Sequence, residues 1–516
     1  MLLTLLCVAP VLALRDFTPA NELRYLSIAD EALADGHGFS FSNHGVPYAD
    51  KPPLYFWILM GCRVLLGGHH PFVLSLLSLL TAFGIVAVMD RWAFRALSPL
   101  TRAAAAAMLL TTVLFTGMAV YIRMDLLMCL FIVLALRFHD RGRGVWFGLF
   151  TFLALFTKGP VGLLLPPLSI LVYGIVFGER DSLRKAFSLP FWLILGVLSL
   201  GWLAGAYLEG GRTYLQDLTL HQTFGRAVHA FHHQAPFWFY LPVIWGVAAP
   251  WCLLTLPAAA LSLARGRKAR YQGSEALRRE RLFLSVVLTG LVLLSLFSSK
   301  LAIYLLPLLP FLTAVFVVVE QRRGWEGWMR LSLGIISLLF AGIGVAAIAG
   351  WAAFDRLPIP AAYGFARTPL LIPAGAVLIA GAVLSLAGAK RGWQRPVLVL
   401  AAAMMLCVPI LSPLLPRVNE QIGYGRLCAD IRSQEAGGEV YTLGLSRPEN
   451  MDVYLHRPVR AVDPEAFAAD PSCIPDSMTV VLSQKTDEAA SGRYSLILSE
   501  SGRSCTQSSG RYGIWR

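Results

Sequence analysis

Two carboxylates in the N-terminal half of the chain stand where apolar stretches end, and both could take part in chemistry. Glu22 follows the first apolar stretch, and Asp125 lies between two later ones. A carboxylate at a membrane interface is costly unless it is paired or functional. Ion pairs of Glu22 with Arg24 and of Asp125 with Arg123 are therefore one reading. The other is an acid that deprotonates or orients an acceptor group, or that holds a divalent cation.

Three bases occupy the tightest turns on the same predicted side of the chain. Arg123, Lys158 and Lys300 each stand directly against an apolar stretch. Each could be a side chain that snorkels at an interface. Together, on the side where the orientation of membrane proteins disfavours bases, they indicate an anion site. Tyr304 lies one helical turn after Lys300, so these two are predicted to share a face.

Further groups suited to a phosphate stand in two longer segments. Lys51 follows Tyr48 and precedes two prolines that start a helix, so a cation and a hydroxyl are presented together; an aromatic belt with an anchoring lysine is the alternative. In segment 209–236, Arg226 can grip a phosphate bidentately, and His221 could share it or relay a proton. A metal site is the weaker reading of the three other histidines there: His229, His232 and His233.

The composition of the chain indicates which kind of secondary structure positions these residues. The chain has 516 residues, of which 56% are apolar and 15% charged, and its mean hydropathy is +0.62. A soluble domain is nearer a quarter charged, so a polytopic membrane protein is predicted. The net charge of +13 is spread over short breaks between apolar stretches, which favours membrane orientation over a nucleic-acid partner. The eight cysteines form no CxxC pair and no Cys/His cluster, which disfavours a zinc module.

The apolar stretches predict an all-α membrane domain, residues 1–416, with about thirteen transmembrane helices. The first stretch, Met1–Leu14, is short for a hydrocarbon core of about 30 Å, either by nature or because of a late start; a cleaved signal peptide is the alternative. Stretch 51–67 is predicted to be an interfacial helix. The other twelve stretches are about 71–89, 103–121, 126–138, 145–157, 160–177, 188–208, 237–263, 282–298, 301–319, 331–354, 368–388 and 396–415.

The distribution of bases predicts the orientation of these spans. With thirteen spans that start inside, the six cytoplasmic loops hold 22 of the 44 Lys and Arg residues. The opposite-side segments are longer and hold 11. The positive-inside rule therefore places the first loop, about 15–70, and the tail on the outer side of the membrane. The candidate site residues fall on that same side.

The tail, 417–516, changes composition and predicts a small soluble α/β domain. It is richer in Gly, Ser, Asp and Glu, and it contains strand-like runs at 439–443, 478–482 and 494–498. One disulfide would be compatible with an oxidising compartment, and Cys473 with Cys505 is the candidate pair.

A series of short motifs between residues 15 and 310 resembles a known family. The run Lys51-Pro52-Pro53-Leu54-Tyr55 is the most specific motif. The others are Asn21-Glu22-Leu23-Arg24-Tyr25, Asp125, Thr157-Lys158-Gly159-Pro160, His221 to Arg226, Pro250-Trp251, and Lys300 with Tyr304 and Pro307. In order and spacing they resemble the GT-C superfamily of membrane glycosyltransferases. The most similar branch is the bacterial lipid A aminoarabinose transferase group, which is related to protein O-mannosyltransferases.

The resemblance implies a specific activity. Such enzymes transfer a sugar from an undecaprenyl or other polyprenyl phosphate to an acceptor at the periplasmic face of the inner membrane, here lipid A or another envelope glycolipid, with inversion presumed. By position, Asp125 would be the catalytic carboxylate together with Glu22. The implied donor-binding residues are Tyr25, Tyr48, Lys51, His221, Arg226 and Tyr304. Arg24, Arg123, Lys158 and Lys300 complete the candidate binding set.

One position departs from the family pattern. Asn21 replaces the Asp of an Asp-Glu pair, so either Glu22 takes over or Asp125 alone is needed, and a divalent cation stays a candidate cofactor without assigned ligands. A phosphate acceptor needs less of a base than a hydroxyl does, which favours lipid A. The alternative function is a transporter or lipid flippase. Transporters place ionisable residues near the membrane midplane and often carry repeats, which this sequence does not show.

Overall fold

The computed structural model describes residues 1–219, 235–266, 275–324, 326–356, 364, 367–434, 438–475, 478–483, 488–509 and 512–515. Its larger part is a bundle of apolar helices that share one continuous core. The C-terminal part contains a small mixed β-sheet.

Each of the thirteen predicted apolar stretches is helical over most of its length. The helices up to residue 216 are α1 (Leu2–Leu14), α2 (Arg24–Asp35), α3 (Leu54–Leu66), α4 (Pro71–Ala93), α5 (Pro99–Leu110), α6 (Val113–Val120), α7 (Asp125–Asp140), α8 (Gly144–Lys158), α9 (Pro160–Val176), α10 (Arg180–Ala186) and α11 (Leu189–Gln216). The later bundle helices are α12 (Tyr240–Val247), α13 (Cys252–Gly266), α14 (Glu275–Leu296), α15 (Leu309–Arg323), α16 (Glu326–Ala352), α17 (Leu371–Gly388) and α18 (Gln394–Leu411). A 3₁₀ segment, Ala302–Leu308, leads into α15.

Among the described residues, six helices are long and apolar enough to cross a membrane by themselves. The number is eight if two bent pairs each count as one span: α1 with Pro19–Asp35, bent by 80°, and α5 with α6, bent by 70°. Shorter apolar helices, α3, α8 and α9 among them, complete the bundle. The predicted helical membrane fold is confirmed, and the count of thirteen spans stays a prediction. Helix α3 begins after the two prolines, as expected.

The chain beyond α18 forms α19 (Leu415–Ile422), α20 (Gly425–Ser433), α21 (Asp452–Leu455), α22 (Pro464–Ala469) and α23 (Glu488–Glu500). Its strands are β3 (Val440–Leu443), β4 (Val459–Val462), β5 (Thr479–Ser483), β6 (Cys505–Ser509) and β7 (Tyr512–Trp515), in the order β4-β3-β5-β7-β6. The pairs β3–β4 and β3–β5 are parallel, whereas β7 is antiparallel to both its neighbours. The short strands β1 (Ser42–Asn43) and β2 (Val46–Pro47) form a separate hairpin in the first loop.

Two of the three predicted strands of the tail are confirmed, as β3 and β5. The prediction for 494–498 is wrong, because these residues lie within α23. Tyr494 and Leu498 are buried while Leu496 is exposed, so burial recurs every four residues, as in a helix. The candidate disulfide is also wrong, since Cys473 and Cys505 are both free. Cys473 ends a 3₁₀ turn after α22, whereas Cys505 opens the edge strand β6.

The C-terminal part packs directly on the first loop. The Asp16 carboxylate accepts hydrogen bonds from the Gly425 N–H at 2.7 Å and from the Tyr454 hydroxyl. Burial and the nearby Asp16 carboxylate raise the pKa of Tyr454 well above its ordinary value, so the hydroxyl keeps its proton and donates. The Ser27 hydroxyl donates to Asp452 at 2.8 Å. Helices α20 and α21 of the C-terminal part therefore contact the first loop and the start of α2, on either side of Asn21 to Tyr25.

The close approach at Gly425 gives a test of this contact. A Cβ atom there would lie 2.7 and 2.9 Å from the two Asp16 carboxylate oxygens. We expect Gly425→Ala to destabilise the protein by about 1–3 kcal/mol, the usual cost of overpacking, measured by thermal unfolding in detergent. Gly327→Ala, in α16, is the control, because its Cβ would meet nothing within 4 Å. Equal stability of the two variants would contradict the packing described.

Candidate active site

Asp125 is the centre of the candidate site. Its side chain is 1% exposed, and both of its carboxylate oxygens are held by cations. The Arg123 Nε donates to Oδ2 at 3.0 Å, and the Lys158 ammonium pairs with Oδ1. A buried charge is stable only when it is paired and hydrogen-bonded. The predicted Asp125–Arg123 pair is thus confirmed, and the structure adds Lys158 to it.

The pairing of Asp125 with Lys158 follows from a helical hairpin. Asp125 is the first residue of α7 and Lys158 is the last residue of α8. The two helices have 16 and 15 residues, pack against each other, and are joined by a three-residue turn at 141–143. The start of the hairpin therefore meets its end. Each charge also suits its helix terminus, since the dipole favours an acid at the N-terminus and a base at the C-terminus.

Two other segments reach the same cluster. The Arg123 Nη1 donates to the Asn21 Oδ1 at 3.3 Å, so the position that departs from the family pattern contacts the site through a neutral amide. The Lys158 ammonium lies 4.8 Å from the centre of the Tyr304 ring, a cation–π contact. The first loop, α7, α8 and the 3₁₀ segment thus converge on one carboxylate.

The expected common face of Lys300 and Tyr304 is wrong. Residue Leu301 is extended, with φ of −134°, and the helix that follows is a 3₁₀ helix starting at Ala302. Lys300 therefore lies outside the helix. Its ammonium donates to the Phe297 carbonyl at 2.6 Å.

A second group of candidate residues lies where α2 meets α3. The Arg24 guanidinium is 5.7 Å from the Tyr25 ring centre and 5.8 Å from that of Tyr48. Tyr25 is buried, packs edge-on against Tyr55 at 6.3 Å, and interacts electrostatically with the Asp125 cluster. The ammonium of Lys51, three residues before α3, donates to the Asp50 carbonyl at 3.3 Å.

Tyr55 lies next to the site, although the sequence motifs did not assign it a role. Its buried ring contacts Tyr25, and its hydroxyl lies within electrostatic reach of Glu22, Asp125 and Arg123. It is the last residue of the Lys-Pro-Pro-Leu-Tyr motif. Its position in this most specific motif is the sequence feature that could have identified it as a site residue.

Glu22 is also fully buried, but it pairs with Arg15 and not with Arg24. Its carboxylate also accepts hydrogen bonds from the Thr18 N–H at 2.8 Å, the Thr18 hydroxyl at 3.0 Å and the Ile122 N–H at 2.8 Å. The predicted Glu22–Arg24 pair is wrong, because the chain turns back sharply after α1 and brings Arg15 inward. Glu22 therefore connects the first loop to the segment that precedes Asp125.

His221 and Arg226 lie outside the described residues, as do the three histidines considered for a metal. Residues 209–219, the described stem of segment 209–236, contact the first loop. Glu209, in α11, accepts hydrogen bonds from the backbone N–H groups of residues 38 to 40 at 2.6–3.2 Å. The Tyr214 hydroxyl donates to the Tyr48 carbonyl at 3.2 Å. The stem therefore lies beside Tyr48.

The described residues do not fit a divalent cation. Within the described ranges, no group of three or more His, Cys, Asp or Glu side chains could hold a metal ion. Both oxygens of Asp125 face cations already. A metal ion at this carboxylate would be repelled by Arg123 and Lys158.

The fold defines a class of membrane protein. ArnT from Cupriavidus metallidurans bound to undecaprenyl phosphate superimposes with a TM-score of 0.78 and 18% identity, over 100% of this chain and 96% of that one. The apo state of the same protein superimposes with a TM-score of 0.74 and 19% identity, over 99% of this chain and 96% of that one. The chain has the fold of the GT-C membrane glycosyltransferases. No family model matches it.

Sequence similarity confirms the predicted resemblance to the ArnT group within that class. The chain is 28% identical to an undecaprenyl phosphate-alpha-4-amino-4-deoxy-L-arabinose arabinosyl transferase of Pseudomonas fluorescens. The alignment of 349 residues covers 64% of the chain and 58% of the relative. An Edwardsiella ictaluri protein of the same name is 27% identical over 410 residues, covering 76% and 71%. The match thus spans less than two thirds of the Pseudomonas relative.

The Asp125 cluster should behave as one energetic unit. We expect Asp125→Asn to destabilise the protein by about 3–5 kcal/mol, because it leaves two buried cations unbalanced. Adding Lys158→Met to Asp125→Asn should cost less than the sum of the two single changes, with a coupling of about 1–3 kcal/mol. Thermal unfolding in detergent measures all three variants.

The control is Asp355→Asn, which removes one partner of an exposed ion pair with Arg367 at 2.7 Å. Exposed pairs contribute at most about 1 kcal/mol, so this variant should stay close to the wild type. Strict additivity of the Asp125 and Lys158 changes would show that the two charges do not depend on each other.

Proposed function

We propose that the protein transfers 4-amino-4-deoxy-L-arabinose, or a similar sugar, from undecaprenyl phosphate to lipid A or another envelope glycolipid. The observation that carries the proposal is the buried Asp125 carboxylate with Arg123 and Lys158 on its two oxygens. It lies in a fold shared with an undecaprenyl phosphate-bound protein. The names of the relatives supply the sugar and the lipid carrier.

The cations give the site its leaving-group chemistry. Transfer forms a bond between an acceptor oxygen and C1 of the sugar and breaks the bond from C1 to the carrier phosphate. The carrier phosphate leaves with the electron pair and gains negative charge. Arg123 and Lys158 can neutralise that charge, and Arg24, between the Tyr25 and Tyr48 rings, can contact the same phosphate. Asp125 holds the first two cations in place until the donor arrives.

The state of Asp125 bears on the acceptor. A carboxylate with a cation on each oxygen is a poor proton acceptor, because protonation would leave both cations unbalanced. A phosphate monoester acceptor is already an anion and needs no proton removed. The arrangement therefore favours a phosphate group of lipid A over a sugar hydroxyl. Glu22 acts in this proposal by positioning the segment before Asp125.

The site is proposed to face the periplasm. The α7–α8 hairpin places Asp125 and Lys158 at one end and the base-rich turn, Arg141 to Arg143, at the other. By the positive-inside rule the turn is cytoplasmic and the carboxylate is not. The C-terminal part contacts this region through α20 and α21 and so is proposed to lie on the same side as the site.

A transfer assay tests the activity. We expect the purified protein to move label from undecaprenyl phosphate-linked aminoarabinose to lipid A. Lys51→Ala should lower the rate at least tenfold, because a charge-assisted contact contributes about 1.5–3 kcal/mol. Asp125→Asn should lower it by at least as much, because Arg123 and Lys158 lose the carboxylate that positions them. Lys390→Ala, at the opposite end of the bundle, is the control. Full activity of Asp125→Asn would remove it from the chemistry, and no transfer by the wild type would favour a transporter.

Cysteine labelling tests the orientation. Single cysteines introduced at Lys51 and at Glu465, which is exposed in α22, should react with an impermeant maleimide added to spheroplasts. A cysteine at Arg143 should react only after the membrane is opened. The background is a variant whose eight native cysteines are replaced. The reverse pattern would invert the proposed topology.

A further inference from the structure

A cavity of about 400 Å³ lies at the end of the bundle opposite to Asp125. It is lined by the start of α8, the end of α10 and the start of α11. Helix α8 carries Gly144 at this end and Lys158 at the other, and 15 residues at about 1.5 Å each separate the two ends by about 22 Å. The cavity is therefore distinct from the candidate active site.

The basic side chains of the cavity are Arg184 and Lys185, in the last turn of α10. None of the described residues that line it is acidic. Ser188 adds a hydroxyl, and Gly142 and Gly144 add accessible backbone. The lining is thus suited to an anion.

Helix packing brings the N-terminal ends of α8 and α11, which carry partial positive charge, to the cavity. The glycines of the Gly144–Gly148 pair, four residues apart, let α8 approach α11 closely, as small residues do between membrane helices. A Cβ at Gly144 would lie 2.6 Å from the Ser188 Oγ, and one at Gly148 would lie 2.9 Å from the Phe191 carbonyl oxygen. Helices α8 and α11 therefore begin side by side, and their dipoles present partial positive charge at the cavity.

Some N–H groups at these two helix starts have no intrahelical partner. Arg143 and Ser188 are the N-cap residues, and in the described part of the chain neither side chain accepts a hydrogen bond from its own helix. At the start of α11 only Leu189 offers such a group among the first three residues, because Pro190 has no N–H and the Phe191 N–H donates to the Ser188 carbonyl at 3.0 Å. An anionic oxygen in the cavity could accept from the first N–H groups of α8 and from Leu189, as well as from Arg184 and Lys185.

Exposed apolar side chains at or next to the lining residues on α8 and α11 form what is here called the rim of the cavity. Leu189 is 70% exposed and Trp192 is 54% exposed on α11, and Val145 and Trp146 are exposed on α8. Tryptophan is typical of the membrane–water interface. The rim can therefore hold acyl chains while the basic lining holds a headgroup, an arrangement that a free anion would not require.

We propose that this cavity binds the headgroup of an anionic phospholipid of the cytoplasmic leaflet, with its acyl chains along the exposed faces of α8 and α11. Basic pockets between membrane helices on the cytoplasmic side suit such headgroups. Bound lipid would fasten α10 to the α8–α11 pair. The site is separate from donor and acceptor binding, and it does not depend on the proposed transferase activity.

Lipid binding to the full-length protein in detergent tests the proposal. Phosphatidylglycerol should raise the unfolding temperature and appear as a bound adduct in native mass spectrometry, and phosphatidylcholine at the same concentration should do neither. Arg184→Gln with Lys185→Gln should weaken phosphatidylglycerol binding about ten- to thirtyfold, since each base near a membrane surface contributes about 1 kcal/mol.

The matched control is Arg180→Gln with Lys390→Gln, which removes the same charge from exposed residues that do not line the cavity. It should bind like the wild type. Equal binding of both lipids by the wild type, or equal loss in both double variants, would overturn the site. Inorganic phosphate that alone reproduces the stabilisation would overturn the assignment to a lipid.

Discussion

The neutralisation of one buried carboxylate, Asp125, organises one end of this bundle. Asp125 is almost without solvent contact, so its charge is stable only while Arg123 and Lys158 face it. Lys158 in turn rests against the Tyr304 ring, and Arg123 contacts Asn21. Four segments that are distant in sequence are thereby held at one point. A phosphate that enters the site finds its cations already assembled, which lowers the cost of organising them during a reaction.

A second buried carboxylate supports the first without sharing its partners. Glu22 binds Arg15, Thr18 and the Ile122 N–H, and so fixes the residue directly before Arg123. Helices α20 and α21 of the C-terminal part then contact the same region through Asp16 and Asp452. The segment that contains Glu22 is therefore held from two sides.

Much of the fold could be predicted because bilayer thickness and hydrophobic burial leave few choices. The apolar stretches are helical where expected, and Asp125, Arg123 and Lys158 were assigned to one face from the charge pattern. The errors lie where tertiary contacts decide. Glu22 could not be matched to Arg15 without knowing that the chain turns back after α1. The run 494–498, Tyr-Ser-Leu-Ile-Leu, is mostly apolar and resembles a short strand, but it lies in a helix that buries Tyr494 and Leu498, four residues apart. The expected common face of Lys300 and Tyr304 requires an α-helix, but a 3₁₀ segment begins at Ala302, two residues after Lys300.

The most direct test of the central claim is mass spectrometry of lipid A from a bacterium that makes undecaprenyl phosphate-linked aminoarabinose but lacks its own transferase. The proposed function predicts that expression of this chain adds one aminoarabinose mass to lipid A. An Arg123→Gln variant that is equally abundant in the membrane should add little or none. Unmodified lipid A in the presence of the wild-type protein and the donor would contradict the proposed function. Full modification by the variant would contradict the role given to the cations around Asp125.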